Sequence, residues 1–256
     1  MKRHTLLILL MALSLVSANR VLAQDDTEVW FDQANAAYNA TAYDSALMLY
    51  NRIVDAGLES SALYFNMGDA YYKTREYPMA IYCYEKALKL DPSNEDARVN
   101  LEIANAAIVD KIEPVPQSFI VRGWNNLKVC FSGDQWAVLS VIAFAFLLVC
   151  LFLFLRASRT GWRKTGFFVG LIMLVILVLS VLFAAQLKRE ALTDDHAIVM
   201  TPTVTVKSSP NEASVDLFVL HEGTKVTLLD EADGWNKIKI ANGSIGWLPE
   251  QSMRSF

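Results

Sequence analysis

Two stretches of this 256-residue chain, Trp136–Leu155 and Thr165–Leu187, contain no Asp, Glu, Lys, Arg or His. At 20 and 23 residues, each matches the roughly 20 apolar residues with which a helix crosses the ~30 Å hydrocarbon core of a bilayer. A soluble alternative needs two helices apolar on every face inside a small protein. The chain is 54% hydrophobic, above the roughly 45–50% of soluble domains, and most of the excess sits in these runs. A single soluble enzyme core and intrinsic disorder are both excluded. The expected fold class is therefore a multi-domain membrane protein with a two-helix transmembrane hairpin.

Flanking residues orient that hairpin. Arg156, Arg159, Arg163 and Lys164 lie between the spans, and the positive-inside rule makes 156–164 a cytoplasmic loop. Residues 1–23 read as a signal peptide: Lys2 and Arg3, an apolar Leu6–Val16, then Val21-Leu22-Ala23 before a cleavage site. Both signals put the flanking regions on the exported side. Ser132 with Gln135 forms a capping-box pattern that starts the first helix, and Trp136 falls at interface depth. Ionisable residues inside a span mark ion or proton paths, so charge-free spans argue against a pump or transporter. Gly166 and Gly170 are either a close-approach site for a partner helix or a glycine-tolerant helix end.

Residues 24–113 show a 34-residue period. With Ser61 as the first position, Tyr64, Met67, Gly68, Tyr71, Ala80, Tyr84, Ala87 and Pro92 occupy the signature positions of a tetratricopeptide repeat. Small residues stand where two helices cross, aromatics fill the space beside them, and Pro92 ends the second helix. One period earlier, Trp30, Ala34, Ala46, Tyr50 and Ile53 match, and Gly57 supplies a left-handed cap where the proline is missing. Asp96–Lys111 adds a capping helix. Two repeats plus a cap are marginal, since about three are usually needed to bury a continuous core. The domain is thus expected to lean on a partner, the membrane or another copy. By resemblance, the concave-face positions are Phe31, Asn35 and Tyr38 in the first repeat and Phe65, Asp69 and Tyr72 in the second. They form either an aromatic, amide-rich peptide surface or packing against the next helix. The region carries seven bases and sixteen acids, which excludes an electrostatic footprint for nucleic acid.

Residues 114–135 interleave Phe119, Ile120, Trp124, Leu127 and Phe131 with Arg122 and Lys128 after the stiff Pro114 and Pro116. This reads as an amphipathic juxtamembrane helix on the headgroups or as a docking site for another membrane protein. After a linker over 188–196, residues 197–256 alternate as short strands separated by Asp233-Gly234 and Asn242-Gly243 turns. The words Leu220-His221-Glu222-Gly223-Thr224, Asp233-Gly234-Trp235 and Ile245-Gly246-Trp247-Leu248-Pro249 resemble a bacterial SH3-type domain, a small all-β barrel. Trp235 and Trp247 are either core and rim residues or a ligand platform.

No catalytic constellation is found. His221-Glu222 is followed by Lys225 where H-E-x-x-H needs a second His, and P-loop, dinucleotide and G-x-S-x-G patterns are missing. Cys83, Cys130 and Cys150 lack C-x-x-C spacing and are expected as free thiols, a Cys83–Cys130 disulfide being the alternative. No catalytic residue, cofactor, metal or small-molecule substrate is expected.

The order of these modules, with Asp110-Lys111-Ile112-Glu113-Pro114-Val115-Pro116 and Asp134-Gln135-Trp136, resembles the BatE proteins of bacterial aerotolerance operons over nearly the whole chain. The resemblance implies an envelope protein encoded beside von Willebrand-type membrane proteins and a MoxR-type ATPase. The implied role is a non-enzymatic, two-pass scaffold of the bacterial cytoplasmic membrane with its modules in the periplasm. Its expected partners are membrane or periplasmic proteins and the lipid bilayer. Peptidoglycan binding through the SH3-type domain is the alternative.

Overall fold

A computed structural model describes residues 27–256 apart from Pro114 and Gln117, so the signal-peptide reading of residues 1–23 lies outside the described residues. The described residues begin with five short helices: α1 (27–39), α2 (Tyr43–Asp55), α3 (Ser61–Lys73), α4 (Tyr77–Leu90) and α5 (Glu95–Asn105). Structure repeats with the sequence at 34 residues. Phe31 packs on Tyr50 at 6.0 Å between ring centroids, and Phe65 on Tyr84 at 6.2 Å. Tyr38–Tyr43 and Tyr72–Tyr77 follow at 5.4 and 5.5 Å.

Side-chain size explains the helix crossings. A Cβ on Gly68 would lie 2.5 Å from the Tyr84 ring, so only glycine lets α3 approach α4 this closely. Its counterpart in the first repeat is the fully buried Ala34. Gly57 adopts φ +79° and ends α2, with its N–H donating to the Val54 carbonyl and the Leu58 N–H to that of Ile53. That is the paired hydrogen-bond pattern of a left-handed helix cap. Ser60 and Asn94, again 34 apart, cap α3 and α5 by accepting from the Leu63 and Ala97 N–H groups. In α5, the polar Arg98, Glu102 and Asn105 stand where α3 carries Tyr64, Gly68 and Tyr71. A face so changed does not receive another helix, and the array stops.

After α6 (Phe119–Lys128), α7 (Gly133–Arg156) and α8 (Thr160–Leu192) form an antiparallel hairpin. Ser132 and Gln135 close the capping box at 3.3 and 3.1 Å. Both helices are long and apolar enough to span a membrane, and only 11% and 17% of their most apolar stretches are buried within the protein. A core helix of a soluble protein is mostly buried. Gly166 and Gly170 face α7, where a Cβ would meet the Cys150 carbonyl oxygen at 2.8 Å and Cys150 Cβ at 3.3 Å. The partner helix of this small-residue pair is therefore α7 of the same chain. The turn between α7 and α8 is short because α8 starts at Thr160, and α8 stays helical through Leu192, leaving three residues before the first strand.

The strands are β1 (His196–Val199), β2 (Thr203–Lys207), β3 (Asp216–His221), β4 (Lys225–Ala232), β5 (Trp235–Lys239), β6 (Ile245–Pro249) and β7 (Met253–Ser255). They form one antiparallel sheet in the order β3-β2-β6-β5-β4-β1-β7, with β3 and β7 at its edges. Asp233 and Gly234 both have positive φ (51° and 77°), as a two-residue hairpin turn between β4 and β5 requires. Val199, Val206, Leu220, Val226, Ile238 and Leu248 make the core.

This sheet packs against the two repeats and extends their core. Ile198 and Phe256 are buried in the repeat-domain core, where Phe256 meets Tyr82 edge-on at 6.0 Å. Arg254 lies 4.5 Å above Tyr82, and Lys225 pairs with Glu85 at 2.7 Å. Asp110 closes the joint: Oδ2 accepts from the His221 amide and the Thr224 hydroxyl, each at 2.7 Å, and Oδ1 lies 2.8 Å from His221 Nδ1. Burial alone would raise the Asp110 carboxyl, but these bonds bring it below the usual carboxylate value. The apolar face of α4, with Ile81, Tyr82 and Cys83, is thus covered by the chain's own sheet.

Candidate functional site

With α4 covered, the other side of the array carries the open groove. Its walls come from α1, α3 and α5 in three tiers 34 residues apart: Phe31, Phe65 and Val99; Asn35, Asp69 and Ile103; Tyr38, Tyr72 and, just past α5, Ala106. Two adjoining cavities mark it. One, of about 320 Å³, is lined by Asn35, Tyr38, Asn39, Tyr50, Asn66 and Asp69. The other, of about 170 Å³, is lined by Tyr38, Asp69, Tyr72 and Ile103 among others.

A hydrogen-bonded ladder forms the base. Asn35 Oδ1 accepts from the Tyr50 hydroxyl at 2.6 Å and from Asn66 Nδ2 at 2.9 Å. One period later, Asp69 Oδ1 accepts from the Tyr84 hydroxyl and from Asn100 Nδ2, each at 2.7 Å. Each rung ties the first helix of one repeat to the second helix of the same repeat and to the next first helix. Burial pushes the Tyr50 hydroxyl up to about 12 and raises that of Tyr84 further, the bond to Asp69 adding to the rise. Burial also raises the Asp69 carboxyl, against the two bonds that favour its charged form. Both phenols are neutral donors at physiological pH.

Of the six concave-face residues, Asn35, Tyr38, Asp69 and Tyr72 line the cavities, while Phe31 and Phe65 are half-buried against Tyr50 and Tyr84. The two roles weighed from sequence are divided along the tiers: the phenylalanines pack, and the tyrosines face the open space. Asn66, Asn100, Val99 and Ile103 were not singled out from the sequence. The 34-residue recurrence of Asn66 and Asn100 was the available signal. Val99 and Ile103 are about half exposed and make the α5 end of the groove apolar. Chemically, the groove presents tyrosine edges, the half-buried Asp69 carboxylate beside the Lys73 ammonium, and an apolar end, which suits a polypeptide segment.

On the sheet, Trp235 pairs with Pro249 and Lys237 with Trp247, which puts both tryptophans diagonally on one face. Both are half-buried, on the face opposite the buried Asn236, Ile238 and Leu248. Cys83 is fully buried and its thiol is pushed up to about 12, so it is an inert packing residue. Cys83, Cys130 and Cys150 are all free. Among the described residues, no three His, Cys, Asp or Glu side chains are grouped to hold a metal ion.

A model of the tetratricopeptide repeat family matches residues 61–94, which is α3, α4 and the turn into α5. Residues 61–94 are therefore a tetratricopeptide repeat, and such repeats point to a protein–protein interaction role. No curated protein matches the chain.

Proposed function

We propose that this protein is a non-enzymatic adaptor of the bacterial cytoplasmic membrane that binds a segment of another protein in the groove built by α1, α3 and α5. The observation that carries this reading is the division of the repeat's two faces. The face of α4 is occupied by the chain's own sheet, while Tyr38, Asp69, Tyr72 and Ile103 surround open space. The apolar hairpin supports anchoring, and the basic residues from Arg156 to Lys164 support a cytoplasmic turn with both modules in the periplasm. Helix α6 leaves Phe119, Ile120 and Trp124 exposed, which suits a helix lying in the headgroup layer. The BatE-like order of modules supports a place in an envelope stress or aerotolerance complex, with the sheet as its SH3-type domain.

Affinity purification of the full chain from membranes at native expression tests the reading. A partner retained by the native protein and lost from Tyr38→Ala/Tyr72→Ala supports it; no partner, or a partner retained by the variant, refutes it. A second reading, peptidoglycan binding, draws on the Trp235–Trp247 face. Sedimentation of the full chain with purified sacculi, lost on Trp247→Ala, is the outcome that favours it.

A further inference from the structure

A third cavity, of about 510 Å³, lies where the end of α4, the end of α6, the last turns of α8 and the sheet meet. Its size falls within the ~300–1,000 Å³ of ligand pockets. Leu88, Leu187 and Phe256 contribute apolar wall, and Lys89, Lys128 and Lys225 contribute ammonium groups. Each lysine is held by one carboxylate: Lys89 by Asp194 at 2.7 Å, Lys128 by Glu190 at 2.8 Å and Lys225 by Glu85 at 2.7 Å. The Lys89 and Lys128 side chains are only 13% and 12% exposed. An ammonium has three N–H donors. Lys89 gives two, to Asp194 and the Thr193 carbonyl, and Lys128 gives its bonds to one carboxylate. Each keeps a donor for a further acceptor.

The cavity's depth is marked independently. Trp124, Phe131 and Trp136 cluster with Phe183, at 4.8 to 5.0 Å between neighbouring rings, and the Trp136 indole donates to the Lys128 carbonyl at 2.9 Å. Tryptophans at the ends of apolar helices mark the headgroup level of a bilayer. We propose that this cavity holds the phosphoethanolamine head group of a phospholipid, its phosphate on Lys89 and Lys128 and its acyl chains leaving along α8 past Leu187. The lining explains the choice of head group. Three ammonium groups stand against four carboxylates, Glu85, Glu190 and Asp195 in the lining and Asp194 on Lys89, so a head group that brings its own ammonium is favoured. A primary ammonium also brings N–H donors to those carboxylates, whereas a purely anionic head group leaves them opposed. The proposal rests on the membrane reading.

The test uses the full chain, purified in detergent, stripped of lipid and examined by native mass spectrometry. The probes are phosphatidylethanolamine, phosphatidylglycerol and soluble glycerophosphoethanolamine. The expected result is one bound phosphatidylethanolamine, held about tenfold more tightly than phosphatidylglycerol, a difference of about 1.4 kcal/mol. Leu88→Trp, which fills the cavity while leaving every charged residue in the sequence, and Lys89→Gln should each abolish that preference while circular dichroism stays unchanged. Equal binding of both lipids, or a preference that survives both variants, marks annular lipid only and overturns the proposal. Binding of the soluble compound as tight as the lipid assigns the site to a free phosphoester and overturns it too. Alkaline carbonate extraction in parallel separates the two failures. Release of the chain from membranes refutes the membrane reading, whereas retention without lipid preference refutes the cavity alone.

Discussion

Replacing Asp69 by Asn and by Ala separates the structural from the electrostatic role of the groove's only cavity-lining carboxylate among the described residues. Asp69 Oδ1 accepts from Tyr84 and Asn100. Asn offers the same acceptor, and Asn35 already serves in this way one repeat earlier. Asp69→Asn should therefore keep the ladder and leave stability within about 0.5 kcal/mol of the native protein, or slightly above it. Asp69→Ala strands the Tyr84 hydroxyl, on a residue only 1% exposed, and should cost about 1–3 kcal/mol. The pH dependence has a definite sign. Because the folded-state carboxyl is raised above 3.8, mainly by burial, its contribution is full below that value. It is lost as pH rises through the higher folded value. Native stability measured against Asp69→Asn should fall across that window. Urea denaturation of the three proteins, followed by circular dichroism at several pH values, reads both quantities. If Asp69→Asn is as damaging as Asp69→Ala, the ladder account is wrong.

Asp110→Ala should loosen the sheet from the repeats by about 1–3 kcal/mol, seen as faster amide hydrogen exchange along α4. Because the Asp110 carboxyl lies below its ordinary value, the same exchange should rise in the native protein as pH falls below about 3.8 through that lower folded value. Gly68→Ala pushes a methyl to 2.5 Å from the Tyr84 ring and should cost about 1–3 kcal/mol in denaturation. Gly166→Leu should part the membrane-length helices at Cys150, lowering the thermal stability of the detergent-solubilised chain, whereas Gly161→Leu, with open space around its Cβ position, should not.

Local chemistry was the legible part of the sequence. Gly68 and Ala80 at a helix crossing, Gly57 at a helix end, Ser132 with Gln135, and Asp233-Gly234 in a hairpin each act within a few residues, and each took the expected form. Contacts across long separations were not legible. Asp110 meets His221 across 111 residues, and Lys225 meets Glu85 across 140. The docking of the sheet on α4 rests on such contacts, and the 34-residue period carries no sign of it. The groove was half legible: resemblance to the repeat family pointed to Tyr38, Asp69 and Tyr72, but Asn66 and Asn100 join it through side-chain bonds spanning 31 residues.

Site-specific photocrosslinking in intact cells tests the central claim most directly. A photoreactive amino acid is placed at Tyr38 or Tyr72 in the groove, and at the exposed Met48 of α2 as the control. Crosslinks to one discrete protein from both groove positions and none from Met48 are the predicted outcome. Equal adducts from all three positions, or none from the groove, would contradict an adaptor that holds its partner between α1, α3 and α5.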